Sequence, residues 1–209
     1  MKTSELIENL CKEVSAVKIQ RPLGLFAKWA GFSVLYLFIM LMIFGLRDDI
    51  ALKFQNVLFT AEIFSLLAVA LTVGISSILL SYPDNYQKKY ATYLPVIPLI
   101  SLVIVLWQEA EESVSITTNN GGEFGCFICL CIFAFGPGIF LFRKLGDHAT
   151  TSPRLASMMG LLASFCLGAL TIRLSEKVDS MAHLIFIHYL PLIALSAIGL
   201  LGGRKWLKW

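Results

Sequence analysis

Six apolar stretches, roughly Trp29 to Leu46, Val57 to Ser81, Ala91 to Trp107, Phe124 to Phe142, Leu155 to Leu174 and Ala182 to Leu201, fill most of this chain. A bilayer core is crossed by about 20 apolar residues of helix, so each stretch comes close to the length of a span. With 57% hydrophobic and 15% charged residues, the chain carries more apolar surface than one soluble core of 209 residues can hide. The expected fold is all-α: a polytopic membrane protein whose residues 29–209 form six transmembrane helices, preceded by a short cytoplasmic segment over residues 1–28.

Six spans put both termini on one side, and the basic residues choose which. Lys2, Lys12, Lys18, Arg21, Lys28, Lys88, Lys89, Arg143, Lys144, Arg154, Arg204, Lys205 and Lys208 fall on one side of the bundle; Arg47, Lys53, Arg173 and Lys177 fall on the other. By the positive-inside bias, both termini are cytoplasmic. The loop from Gln108 to Glu123 has no Lys or Arg and four acids, which suits the outer side. Trp206 and Trp209 amid basic residues suit an anchor at the inner interface. A net charge of +3, scattered along the chain, gives no footprint for nucleic acid. The N-terminus has no signal-peptide pattern, and five cysteines in so apolar a chain do not make a secreted disulfide framework.

The segment from Thr3 to Gln20 stands apart as the one long polar stretch. At about 100° per residue, Leu6, Ile7, Leu10, Val14 and Val17 share one arc, while Glu5, Glu8, Asn9 and Lys12 lie opposite. This is the pattern of an amphipathic helix, capped by Thr3 or Ser4 and ended by Arg21-Pro22. Its apolar face fits either a protein groove or the inner leaflet. Glu5, Glu8 and Glu13 disfavour anionic headgroups, which tilts the choice toward protein.

The spans read as a packed bundle. Glu62, Ser65, Ala68, Thr72 and Ser76 make one small, polar stripe on the second, and Ala156, Gly160, Ser164 and Gly168 recur every fourth residue on the fifth. Such stripes let helix backbones approach in lipid. Pro95 and Pro98, Gly136-Pro137-Gly138 and Pro191 predict kinks in the third, fourth and sixth spans.

The candidates for chemistry are few. Cys126, Cys129 and Cys131 have spacing reminiscent of a metal ribbon, but helical pitch turns Cys131 about 140° from Cys126, so no shared metal is expected. Cys126 and Cys129 form a C-x-x-C at the outer, N-terminal end of a helix, where the dipole favours a thiolate. Glu62 is either a snorkelling surface acid or a buried functional one, since an ionisable group within a span is costly. His183 and His188 are five residues apart and by α-helical pitch face different sides of the sixth helix. Cys166 reads as structural, Cys11 as cytoplasmic and His148 as a solvated loop residue. The sequence contains no H-E-x-x-H, P-loop, dinucleotide fingerprint or nucleophile elbow, so no enzyme, cofactor or metal is expected.

Taken in order, SELIENL running into RPL, the LRDDI that closes the first span, GC before the fourth, SPRLASMMGLLAS opening the fifth and the terminal IGLLGGRKWLKW make the chain similar to one bacterial family nearly from end to end. It resembles the NrsF-type negative regulators, six-helix inner-membrane anti-sigma factors directed at extracytoplasmic-function sigma factors. The resemblance implies that the N-terminal segment holds such a sigma factor at the membrane, away from RNA polymerase. It also implies, for members that sense through thiols, an outer cysteine near the fourth span paired with one between the fifth and sixth. Cys126 fits the first position, whereas here the second loop, RLSEKVDSMAH, has no cysteine. His188 matches a histidine early in the family's sixth helix.

The expected function is an anti-sigma factor with Leu6, Ile7, Leu10, Val14 and Val17 as partner-binding residues. Cys126, Cys129, Glu62 and His188 are the candidate sensing residues. Proteolysis, conformational release and thiol chemistry are all compatible with the sequence, as is more than one oligomeric state. The competing expectation is a small transporter or channel with a polar site near Glu62 and His188.

Overall fold

The computed structural model describes residues 21–82, 90–112, 123–148 and 150–207. The expected partner-binding residues Leu6, Ile7, Leu10, Val14 and Val17 lie outside the described residues. Among the described residues every regular element is helical. The main helices are α1 (Pro22–Phe44), α2 (Val57–Ser81), α3 (Val96–Glu112), α4 (Glu123–Gly146), α5 (Pro153–Ser175) and α6 (Met181–Trp206).

Local chemistry sets their ends. Pro22 and Pro153 open α1 and α5, where a missing N–H costs nothing and the fixed φ is already helical. Helix α1 therefore starts before the expected Trp29. Gly45, at φ 86°, ends it in a conformation that only glycine adopts freely. Asn56 caps α2 by accepting from the backbone N–H groups of Leu58 and Phe59.

Five helices, α1, α2, α4, α5 and α6, are long and apolar enough to cross a membrane. The third expected span departs from the pattern. Instead of one run from Ala91 to Trp107, a turn of helix at Tyr90–Tyr93 breaks before Pro95, and α3 then runs for 17 residues. A residue preceding proline is pushed out of the helical region, which places the break at Leu94-Pro95, whereas Pro98 falls in the first turn of α3, where its missing N–H costs nothing. At about 1.5 Å per residue, α3 spans roughly 26 Å, somewhat less than a hydrocarbon core.

Helix α5 is the centre of the bundle, packed on α2, α4 and α6. The small residues expected to allow this do so. Ser77 donates to the Ala156 carbonyl at 2.7 Å, joining α2 to α5. A Cβ on Gly168 would stand 2.9 Å from the Leu130 carbonyl oxygen of α4, and one on Gly199 would stand 2.6 Å from the Met158 backbone. Trp29 of α1 is fully buried against Gly74, and its indole N–H donates to the carbonyl of Pro137. Large apolar side chains cover much of the outside; Leu201 is 84% exposed and Ile97 79%. Surfaces of this kind belong against lipid rather than water.

Candidate functional site

Polar chemistry gathers at one end of the bundle, where α5 ends and α6 begins. Arg173, in the last turn of α5, is buried, and a buried guanidinium needs both charge and hydrogen-bond partners. Its Nε lies 3.0 Å from each carboxylate oxygen of Glu62 on α2, and its Nη2 lies 2.7 Å from Oε2. Tyr189 of α6 donates its hydroxyl to the same carboxylate. Glu62 is thus a buried acid held by two partners, not a snorkelling one.

The network continues outward through Asp179, in the link between α5 and α6. Its carboxylate meets Arg173, Arg47 and Lys53 at 3.1, 2.9 and 2.8 Å. Arg47, itself buried, also takes Asp49 in a two-pronged pair and donates its backbone N–H to the Leu174 carbonyl. Both guanidinium groups lie over the Phe59 ring, at 5.7 Å for Arg47 and 5.2 Å for Arg173. Lys177 pairs with Asp48. Burial pushes the Asp179 carboxyl upward, but hydrogen bonds from Arg47 and Lys53 outweigh it and hold the group well below the usual carboxylate range.

A second cluster sits beside the first. Cys126 at the start of α4, Glu176 just past α5, and His183 and His188 of α6 place one ligand-type atom each within 4.8 Å of one another. The Cys126 thiol donates to Glu176 Oε1 at 2.9 Å. His183 Nε2 lies 3.1 Å from Glu176 Oε1, and His188 Nε2 lies 3.2 Å from Oε2. These histidine contacts have ion-pair distances but not hydrogen-bond directions. His183 Nε2, both nitrogens of His188 and Glu176 Oε2 remain buried without a hydrogen-bond partner.

The histidine geometry overturns the expectation that residues five apart face different sides. Their rings meet edge to face with centroids 5.1 Å apart. The cause is a π-helical segment, Leu184–Tyr189, inside α6. A π turn closes at i→i+5, so it stacks the positions that an α turn would splay. Pro191 follows directly; its ring crowds the carbonyl four residues back, at Ile187, and favours a widened turn.

Of the expected sensing residues, Cys126 and His188 come together. Cys129 lies next to them, on a cavity of about 260 Å³ that it shares with Cys126 and Glu176. Glu62 belongs to the neighbouring ion-pair network instead. Cys131 lies on another face, lining an apolar groove with Phe135 and Trp206, so the three cysteines do not gather. Cys126 faces a carboxylate rather than an open electropositive surface, which runs against the thiolate expected from the helix dipole alone. His148 is half-buried against Tyr82, with the two rings tilted by 34° and their centroids 4.4 Å apart, not free in solvent.

Reading along the chain missed Arg47, Arg173, Glu176, Asp179 and Tyr189. Their signal is the run of charge at the ends of apolar stretches, in LRDDI and RLSEKVD, where neither acids nor bases are needed for a simple turn.

The family model for NrsF, the negative regulator of sigma F, matches residues 10–209. The chain belongs to this family. No curated protein and no solved structure matches it. The matched span takes in Leu10, Val14 and Val17 of the N-terminal segment together with both polar clusters.

Proposed function

We propose that this chain is a membrane-embedded anti-sigma factor that binds an extracytoplasmic-function sigma factor through residues 1–28 and releases it in response to an envelope signal. The observation that carries the reading is the family match over nearly the whole chain, by a family described as negative regulators of a sigma factor. The amphipathic pattern of Leu6, Ile7, Leu10, Val14 and Val17 supplies a binding face of the kind that enters a groove on a folded partner. The role is binding, not catalysis.

The distribution of basic residues supports termini on the cytoplasmic side of the inner membrane, with α3 completing a six-helix topology as a short crossing around which the bilayer thins. On that reading the two polar clusters face the envelope side, where a signal would arrive. The sigma factor and the clusters then occupy opposite ends of the bundle.

The test is co-purification. Full-length protein in detergent retains the sigma factor encoded beside its gene, and the pair Leu10→Glu with Val14→Glu abolishes retention while the bundle stays folded. If the double variant retains the sigma factor as well as the wild type does, the N-terminal face is not the binding site. Loss of repression of a sigma-dependent reporter accompanies the same variant.

A further inference from the structure

We propose that Cys126, Glu176, His183 and His188 form a binding site for a single divalent cation of the zinc class. The first support is the donor set. A thiol, a carboxylate and two imidazoles are the ligands that suit zinc, and thiolate with imidazole disfavours magnesium or calcium. The four donor atoms already lie within 4.8 Å of one another. Tetrahedral zinc, with bonds of about 2.0–2.3 Å, holds its donors roughly 3.3–3.8 Å apart, so closure asks for rotamer adjustments rather than helix movement.

The second support is independent of composition. His188 is 1% exposed, yet neither of its ring nitrogens has a hydrogen-bond partner, and His183 Nε2 and Glu176 Oε2 are buried in the same condition. Buried polar atoms without partners are costly, and one each from Glu176, His183 and His188 gather here around one point. A cation at that point satisfies His183 Nε2, His188 Nε2 and Glu176 together.

The third support is charge. On coordination the Cys126 S–H gives its proton to solvent, the imidazoles bind neutral, and Glu176 binds as carboxylate. One thiolate and one carboxylate balance a divalent ion, so the loaded site is neutral in a half-buried setting where an uncompensated charge is expensive. The cavity of about 260 Å³ alongside Cys126 and Glu176 gives an approach. The π turn in α6 has a reason in this light, since π segments concentrate where helices carry function and this one places both imidazoles on one side.

The site does not use a second thiol. It recruits two imidazoles and a carboxylate from the α5–α6 link and the start of α6, in a chain whose corresponding loop has no cysteine. Its role as the input of the regulator rests on the proposed function; its ability to bind metal does not.

The experiment uses the full chain in detergent, stripped with chelator and titrated with Zn²⁺ against a competing chromophoric chelator. One Zn²⁺ binds per chain, Cys126→Ser and His188→Gln each weaken it by at least about ten-fold, and Cys131→Ser leaves it unchanged. X-ray absorption at the zinc edge of the wild type shows one sulfur with nitrogen and oxygen neighbours, a readout that needs no variant to fold. Absence of stoichiometric binding, unaltered affinity in both variants, or a shell with more than one sulfur overturns the proposal. None of these readouts involves the sigma factor, so failure here leaves the anti-sigma reading standing, and the converse also holds.

Discussion

Arg173 and Glu62 stand 111 residues apart in the chain and meet in a three-contact ion pair whose side chains are 4% and 0% exposed. Two charges removed from water in this way hold each other in place, but each is a liability without the other. Breaking a buried pair by removing one partner costs about 3–5 kcal/mol, whereas replacing both by apolar groups is often close to neutral. Glu62→Leu or Arg173→Leu alone should therefore lower stability by about that amount in denaturant titrations in detergent. The double variant should recover part of the loss, the remainder reflecting the Tyr189 hydroxyl and Asp179, each of which loses a partner in it. Equal loss in the single and double variants would mean that the pair does not act as a unit.

Acid should loosen the α5–α6 link through Asp179. Its native carboxyl sits below the ordinary value, so it stabilises the fold fully above about pH 4 and loses that contribution as pH falls further toward the depressed value. The wild type should lose more stability between pH 6 and pH 3 than Asp179→Asn does, measured by thermal unfolding in one detergent. A parallel loss in both proteins would remove Asp179 as the source.

Glycines in the bundle should divide sharply by what lies beside them. Gly199→Ala places a methyl 2.6 Å from the Met158 backbone, where no side chain can yield, and should cost about 1–3 kcal/mol as α5 and α6 move apart. Nothing lies within 4 Å of a Cβ on Gly31 of α1, so Gly31→Ala should be neutral or stabilising by up to about 1 kcal/mol. Unfolding midpoints of the two variants in parallel decide this.

The π segment can be tested by cross-linking. With Cys126→Ser as background, His183→Cys together with His188→Cys should form an intrahelical disulfide under mild oxidation, because the π turn brings these positions within bridging reach. A regular α-helix would hold them too far apart on different faces, so an absent cross-link would contradict the π turn. Adding Pro191→Ala should reduce the yield as the helix relaxes toward α pitch.

The long apolar helices were legible because their hydrophobic runs approach the length that lipid demands, and because glycine and serine at fourfold spacing can be recognised without knowing what packs on them. Gly160, Ser164 and Gly168 met α2 and α4 as that spacing implies. The site was less legible, for two physical reasons. Projecting α6 at a fixed pitch separated His183 from His188, and only a widened turn ahead of Pro191 brings them together. The pairing of Arg47 with Asp179, or of Glu62 with Arg173, depends on which helix ends are neighbours in space, which periodicity along one helix does not encode. Proline acted unevenly: the break at Pro95 cut the third apolar stretch shorter than its composition suggested, whereas α4 runs on as helix through Pro137.

The ion-pair mesh also has a bearing on how the bilayer's electric field acts on this protein. Arg47, Lys53, Arg173 and Lys177 are matched one for one by Asp48, Asp49, Glu62 and Asp179. An uncompensated charge crossing the full membrane potential exchanges about 2.3 kcal/mol per 100 mV. A mesh whose charges sum to zero, displaced as a body, exchanges almost none. Voltage thus has little hold on these eight groups taken together, and any single substitution that removes one of the eight charges would give it one.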